Sequence, residues 1–279
     1  MAAKDAGTMT SEHRSATAER LGNPAKSPFD LTGDVVLVTG AGGGIGRAIV
    51  VALRDAGAAV VATDQASVDG ILPHDVTLAS DWARVAEIVG ERYGRLNALV
   101  NNAGISITLP IADTSLNIWR RVQAINVEGI LLGLHATLPL LREGGRGRKG
   151  GASVVNFSSV AGLRGAAYCA AYCASKASIA MFSKCAAIEY ASLGYDIRVN
   201  SIHPGAIDTA MIHDIMSGYE TLGVVPSAEI ARKATEARHP LGRLGEPGEI
   251  AQSVVYLCST ASSFTTGSEL VVDGGFTSL

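Results

Sequence analysis

Val35-Val-Leu-Val-Thr-Gly-Ala-Gly-Gly-Gly-Ile-Gly46 runs straight into Arg47-Ala-Ile-Val-Val-Ala-Leu53, and this stretch decides the fold. Its first five residues are a β-branched run suited to a buried strand. Glycines 40, 44 and 46 permit a tight turn and a close backbone approach, and the apolar residues after them follow helical spacing until Gly57. A strand, a glycine turn and a helix in that order gather unpaired backbone N–H groups at the positive end of a helix dipole, a place that suits a pyrophosphate. Alone, such a turn says little, because flexible turns are also rich in glycine.

Working outward, the same alternation continues. Short buried runs at 58–63, 99–102, 153–157, 197–202 and 269–272 read as strands, and helical spacing appears over 80–93, 115–141, 170–193 and 249–259. Strands alternating with helices of this length predict an α/β fold: a doubly wound, Rossmann-type parallel sheet in a single domain. Only ten residues separate Asp64 from Asp75, too few for a helix and a full strand. The third crossover is therefore expected to be shortened to a loop, with a stub of strand near 71–74.

At 279 residues, with 47% hydrophobic and 18% charged residues, the chain suits one large domain with a sheet covered on both faces. A net charge of −3 gives no reason to expect nucleic acid or an anionic membrane as partner, and no apolar run is expected to reach spanning length. Residues 1–28 lack a hydrophobic stretch and read as a disordered leader ahead of a domain over 29–279; Met9 is a possible alternative start. Four cysteines without CxxC spacing imply reduced thiols and a cytoplasmic protein. Cys169 and Cys173 find no further ligand nearby in sequence, so no metal is expected. The basic stretch over 142–151, with Arg146, Arg148 and Lys149, reads as a solvated loop.

The chemistry concentrates at Tyr172-Cys-Ala-Ser-Lys176, where a phenol and an ammonium stand one helical turn apart. A phenol titrating near ~10 is a poor base at neutral pH, and a neighbouring ammonium favours its ionised form. Upstream stand Asn101-Asn-Ala-Gly104, Asn126 and Ser159, in the order one active site would need. Asp64, 24 residues after Gly40 and ending the second strand, can accept hydrogen bonds from ribose hydroxyls and would repel a 2′-phosphate. Gly43, not a cation, precedes Gly44. NAD is therefore expected over NADP. His203 and His239 lack charge partners in sequence and read as structural.

These motifs together resemble the short-chain dehydrogenase/reductase family from about residue 30 onward. The family's TGxxxGxG matches Thr39 to Gly46, NNAG matches 101–104, and the Ser…Tyr-x-x-x-Lys pattern falls on Ser159, Tyr172 and Lys176 with a thirteen-residue gap from Ser to Tyr. Pro204-Gly205, Thr209 and the closing Val272-Asp-Gly-Gly275 match as well. The resemblance implies that Tyr172 is the general acid/base, that Lys176 stabilises the phenolate and bonds the nicotinamide ribose, that Ser159 donates to the substrate oxygen, and that Asn126 holds a water on a proton path. It also implies a cofactor site from Gly40, Gly44, Ile45 and Gly46 past Asp64, Asp75 and Val76, then Asn102, Ala103 and Gly104, closing on Pro204, Gly205, Ile207 and Thr209. A homotetramer paired through the helices over 115–141 and 170–193 is implied too.

The substrate end is expected from Ile105, Leu163, Tyr168, Met211 and Met216, with residues 210–240 forming a lid. The apolar character of these residues points to a bulky secondary alcohol or its ketone, and the segment over 196–205 resembles hydroxysteroid and alicyclic-alcohol members. A 3-oxoacyl thioester reductase is the alternative among enzymes. A dinucleotide-sensing protein without catalysis is the alternative of another class, against which the intact Ser159, Tyr172, Lys176 and Asn126 argue.

Overall fold

The computed structural model describes residues 27–66 and 70–278, so the expected leader lies outside the described residues up to residue 26. Among the described residues, seven strands form one sheet in the order β3-β2-β1-β4-β5-β6-β7, every pair parallel. They are β1 (Val35–Thr39), β2 (Ala59–Asp64), β3 (Leu72–Pro73), β4 (Ala98–Asn101), β5 (Ala152–Phe157), β6 (Ile197–Pro204) and β7 (Glu269–Val272). The strand order reverses between β1 and β4, where α/β sheets open a crevice at the carboxyl ends of their strands.

Helices cover both faces. On one face α1 (Gly44–Asp55) and α8 (Pro247–Cys258) pack on Val36, Val38, Val100 and Val155. On the other, α2 (Ala79–Tyr93) and the long helical stretch after Ser115 pack on Val35, Leu37, Leu99 and Val154. The central strands are buried along their whole length, which explains their unbroken apolar runs.

That long stretch departs from the sequence reading. It is α3 (Leu116–Gln123), one π-helical turn (Ala124–Glu128), then α4 (Gly129–Gly145). Helix therefore continues through Glu128 and the glycines that interrupt the apolar pattern. By length and composition alone Leu116–Gly145 could cross a membrane, contrary to expectation. Its inward side packs on the sheet through Leu134 and Leu141, and 39% of the apolar window is buried.

The basic stretch differs too. Residues 142–145 are helical, and Arg146 pairs with Glu143 on the surface at 3.0 Å. Arg148 turns inward instead, bonding Asp34 Oδ2 at 2.6 Å and donating to the Cys258 carbonyl at 2.8 Å. It ties the entry to β5 to the entry of β1 and the end of α8, so it is not a solvated charge. At the far end of the chain α5 (Ala170–Ser192) backs β6, and α6 (Ala210–Thr221) and α7 (Ala228–Ala237) lie beyond β6.

The short third crossover is as expected, with Leu72 and Pro73 pairing with Thr63 and Asp64. A side-chain stack follows it. His74 is buried, its Nδ1 2.9 Å from Thr63 Oγ1 and its ring edge-on to Trp82 at 4.3 Å between centroids. The Trp82 indole N–H donates to the Val76 carbonyl. Burial holds the His74 imidazole down to about 4, against 6.5 unperturbed. Between those values the unfolded chain binds more protons, so this contribution to stability is complete above 6.5 and disappears as pH falls to 4, a loss of at most ~3 kcal/mol. Urea midpoints at pH 7.5 and 4.5 will show the wild type losing more than His74→Gln; equal losses would remove His74 from the account.

Candidate functional site

The carboxyl ends of β1, β4, β5 and β6 surround one continuous cavity of about 740 Å³, a size ordinary for a ligand site. Its floor follows from the strand ends. Gly40 has φ +66°, and a β-carbon there would press on the Ala103 backbone at 2.8 Å. A β-carbon at Gly46 would run into the Gly40 carbonyl, and one at Gly44 would stand 2.8 Å from Thr209 Cγ2. The turn is thus a shallow cradle that only glycine leaves open. Thr39 Oγ1 accepts from the N–H groups of Asn102 and Ala103, while the Asn102 amide donates to the carbonyls of Thr39 and Gly40, each near 3 Å. These bonds lock the end of β4 against the glycine turn.

At one end of the cavity, Asp64 Oδ2 accepts from the Gly42 N–H at 2.8 Å. Asp75 accepts from Thr77 and from the Gln65 amide. All sixteen positions expected to form the cofactor site border this one cavity, from Gly40 to Thr209 and including Tyr172 and Lys176. A glycine cradle at a helix N-terminus, a carboxylate ending β2 and a cavity of this size fit a nicotinamide dinucleotide.

The chemical centre lies where β5 meets α5. Ser158 Oγ donates to the Lys176 carbonyl at 2.8 Å, and Gly162 lies so close that a β-carbon would be 2.7 Å from the Lys176 backbone. This contact fixes α5 against the end of β5 and sets Tyr172 opposite Ser159. Lys176 Nζ donates to the Phe157 carbonyl at 2.7 Å and stands 5.5 Å from the Tyr172 ring centre. Burial pushes the Tyr172 phenol up to about 12, with the Ser159 hydroxyl working the other way. Burial also draws the Lys176 ammonium down to about 7. The sequence reading had the ammonium lowering the phenol, but the removal of both groups from water dominates in this structure.

Asn126 does not border the cavity. It sits fully buried in the π-helical turn, exchanging two hydrogen bonds with the Ile105 backbone and donating to Ser175 Oγ at 2.9 Å. The bulged turn is what carries its amide beneath the loop after β4. His203 is buried, with Nδ1 3.2 Å from the Ser159 carbonyl and Nε2 2.9 Å from Ser201 Oγ, a structural post behind the serine.

The five residues expected at the substrate end divide. Ile105, Met211 and Met216 line the cavity, but Leu163 and Tyr168 do not. Tyr168 takes φ +64°, which swings its ring out against Tyr219 at 6.1 Å between centroids. Leu163 points to solvent from the turn after Ser159. Cys169, which the sequence did not single out for the site, borders the cavity with Tyr172. Ile212, Ile215 and Tyr219 from α6, His239 after α7 and Phe276 near the C-terminus complete that wall. Phe276 was missed because no local pattern links it to the rest.

A family profile described as enoyl-(acyl carrier protein) reductase matches residues 40–277. The NADP-dependent (R)-specific alcohol dehydrogenase of Lentilactobacillus kefiri is 34% identical over 88% of this chain and 98% of its own length. Cyclopentanol dehydrogenase of Comamonas sp. is 36% identical, covering 87% and 96% respectively. The solved structure of Thermoplasma acidophilum aldohexose dehydrogenase superposes with a TM-score of 0.80 at 32% identity, over 90% of this chain and 96% of that one.

Proposed function

The chain belongs to the short-chain dehydrogenase/reductase family, and from that premise we propose that it is an NAD-dependent oxidoreductase interconverting a bulky, largely apolar secondary alcohol and its ketone. The single observation that carries this reading is the convergence of Ser159, Tyr172 and Lys176 on one cavity whose opposite end is the glycine cradle and Asp64. When bound, the nicotinamide dinucleotide supplies hydride acceptance and donation. Around it the chain's own groups do the rest. Ser159 Oγ donates to the substrate oxygen, a dipole already aimed at developing charge. Tyr172 Oη takes the hydroxyl proton in oxidation and returns it in reduction. Lys176 keeps the charge of the pair in balance. The apolar walls from α6 exclude water, and residues 210–240 act as the lid.

The alcohol activities named for relatives support the substrate class, and a panel of cyclic alcohols tests it by the absorbance of reduced cofactor. Cyclopentanol, cyclohexanol and larger rings should reduce the cofactor, and silence across the panel would end the proposal. A thioester reductase would use a basic surface for an acidic carrier, and of the cations over 142–151 Arg148 is turned inward to Asp34.

For the cofactor, Asp64 facing the cavity and Gly43 beside the cradle support NAD, while one relative is NADP-dependent by name. Burying a 2′-phosphate beside a carboxylate is unfavourable. kcat/KM with NAD should exceed that with NADP at least ~10-fold, as ~1.4 kcal/mol of charge repulsion gives, and Asp64→Ala should narrow the gap. Equal efficiency with both in the wild type would contradict this.

Assembly as a homotetramer is proposed on the exposed apolar stripe of α5, where Met181, Cys185 and Ile188 share one face, together with Leu131 on α4. Light scattering at working concentration tests it, a monomer of 28.7 kDa being the contrary result.

A further inference from the structure

The substrate end of the cavity carries a cation that nothing in the mechanism uses. Arg238 follows α7 directly and borders the cavity. Its guanidinium lies 4.7 Å from the centre of the Phe276 ring, and the Arg164 guanidinium lies 5.5 Å from the same ring. Arg164 is held there by its bond to the Phe276 carbonyl at 2.9 Å. One aromatic ring thus fixes two guanidinium groups at the same end of the site.

The nearby acids are all occupied elsewhere. Glu236 bonds Arg232, Asp208 bonds Arg232 and His213, and Asp273 accepts from Thr277 and Gly275. No carboxylate pairs with Arg238 among the described residues. The neighbouring His239 is engaged on both ring nitrogens, Nδ1 2.7 Å from the Thr235 carbonyl and Nε2 accepting from the Ala206 N–H at 3.3 Å. Within the cavity the acidic residues are Asp64 and Asp75, at the end away from the reacting centre. From Tyr172 the wall runs through Cys169 to Tyr219, whose hydroxyl is 3.9 Å from Cys169 Sγ, and on to Arg238. An exposed guanidinium at the border of this cavity, steadied over the Phe276 ring, matches a planar oxyanion, which it can grip with two parallel hydrogen bonds.

We propose that the substrate carries a carboxylate on the side of the molecule away from its carbinol, and that Arg238 recognises it. This deepens the reading of a secondary-alcohol dehydrogenase and rests on it for the turnover assay alone. The test compares 3-hydroxycyclohexane-1-carboxylate with its methyl ester, and in parallel measures by calorimetry the binding of cyclohexanecarboxylate, which has no hydroxyl to react. In the wild type the acid should exceed the ester in kcat/KM by at least ~10-fold, the lower range for a charge-assisted hydrogen bond. Arg238→Met should bring that ratio to about unity, chiefly through KM. Arg238→Lys should recover part of it, because charge returns without the fork.

An ester turned over as well as the acid by the wild type, or a ratio that survives Arg238→Met, overturns the proposal. Should no alcohol be oxidised at all, the secondary-alcohol reading fails by itself, and the calorimetry still decides. Cyclohexanecarboxylate binding that Arg238→Met abolishes supports the anion site, whereas no binding to the wild type at millimolar ligand refutes it.

Discussion

Tyr172→Phe will lower turnover at least ~10²-fold while leaving the cofactor bound, the lower range for losing a general acid/base group. The substitution removes one oxygen and keeps the ring, so the packing of α5 against the end of β5 survives. That packing rests on Ser158, Gly162 and the Lys176 backbone, none of which contacts the phenol oxygen through a bond of its own. Cofactor affinity, read from fluorescence quenching on titration, should therefore stay close to wild type as kcat collapses. Tyr168→Phe is the control. With its ring turned out against Tyr219, away from the cavity, it should leave both kcat and KM near their wild-type values. A variant pair that behaves the other way round would displace Tyr172 from the reaction.

The second large effect belongs to Lys176→Met, which should cut turnover comparably, weaken cofactor binding and shift the pH profile. Burial sets the two members of the pair apart, the phenol up to about 12 and the ammonium down to about 7. The two groups stand one turn apart on α5, with Nζ 5.5 Å from the ring centre, and the first proton to leave them comes off Lys176 near 7. Alcohol oxidation then needs the phenol proton to pass to the neutral amine, which leaves the phenol oxygen free to accept. Oxidation should therefore rise with pH through about 7 and then level, and ketone reduction should fall over the same range. In Lys176→Met only the phenol remains, so the rising limb of the residual oxidation should move well to the alkaline side. A profile that keeps its midpoint in the variant would show that Lys176 does not share the proton.

Most of the cofactor half was legible in the sequence because it is local. The strand, glycine turn and helix over 35–53 stand consecutively, and Asp64 ends the next strand. Tyr172 and Lys176 share one helical face by spacing alone. Each of these placements depends on backbone periodicity, which neighbouring residues in the chain dictate. The fold class followed from the same source, since strands and helices of these lengths admit few arrangements. The break at Ala124–Glu128 was not legible, because a π-helical turn has the composition of ordinary helix and is decided by where Asn126 finds its partners.

The substrate end was decided by tertiary structure. Cys169, Arg238, His239 and Phe276 come together from segments with no shared periodicity, and only the packing of α6, α7 and the C-terminal turn beside β6 makes them one wall. Tyr168 was expected on that wall, but it does not border the cavity and its ring lies against Tyr219, with a backbone φ of +64°. Proton energetics belong to the same category. Residue types supply a phenol and an amine, but how far each departs from its ordinary titration depends on how much water the surrounding fold takes away. Sequence by itself therefore determined the sheet, the glycine cradle and which residues of 35–64 and 172–176 reach one cavity. The shape and charge of the substrate end, and the proton affinity of Tyr172 and Lys176, arose only from long-range packing, because burial and desolvation belong to the folded chain as a whole.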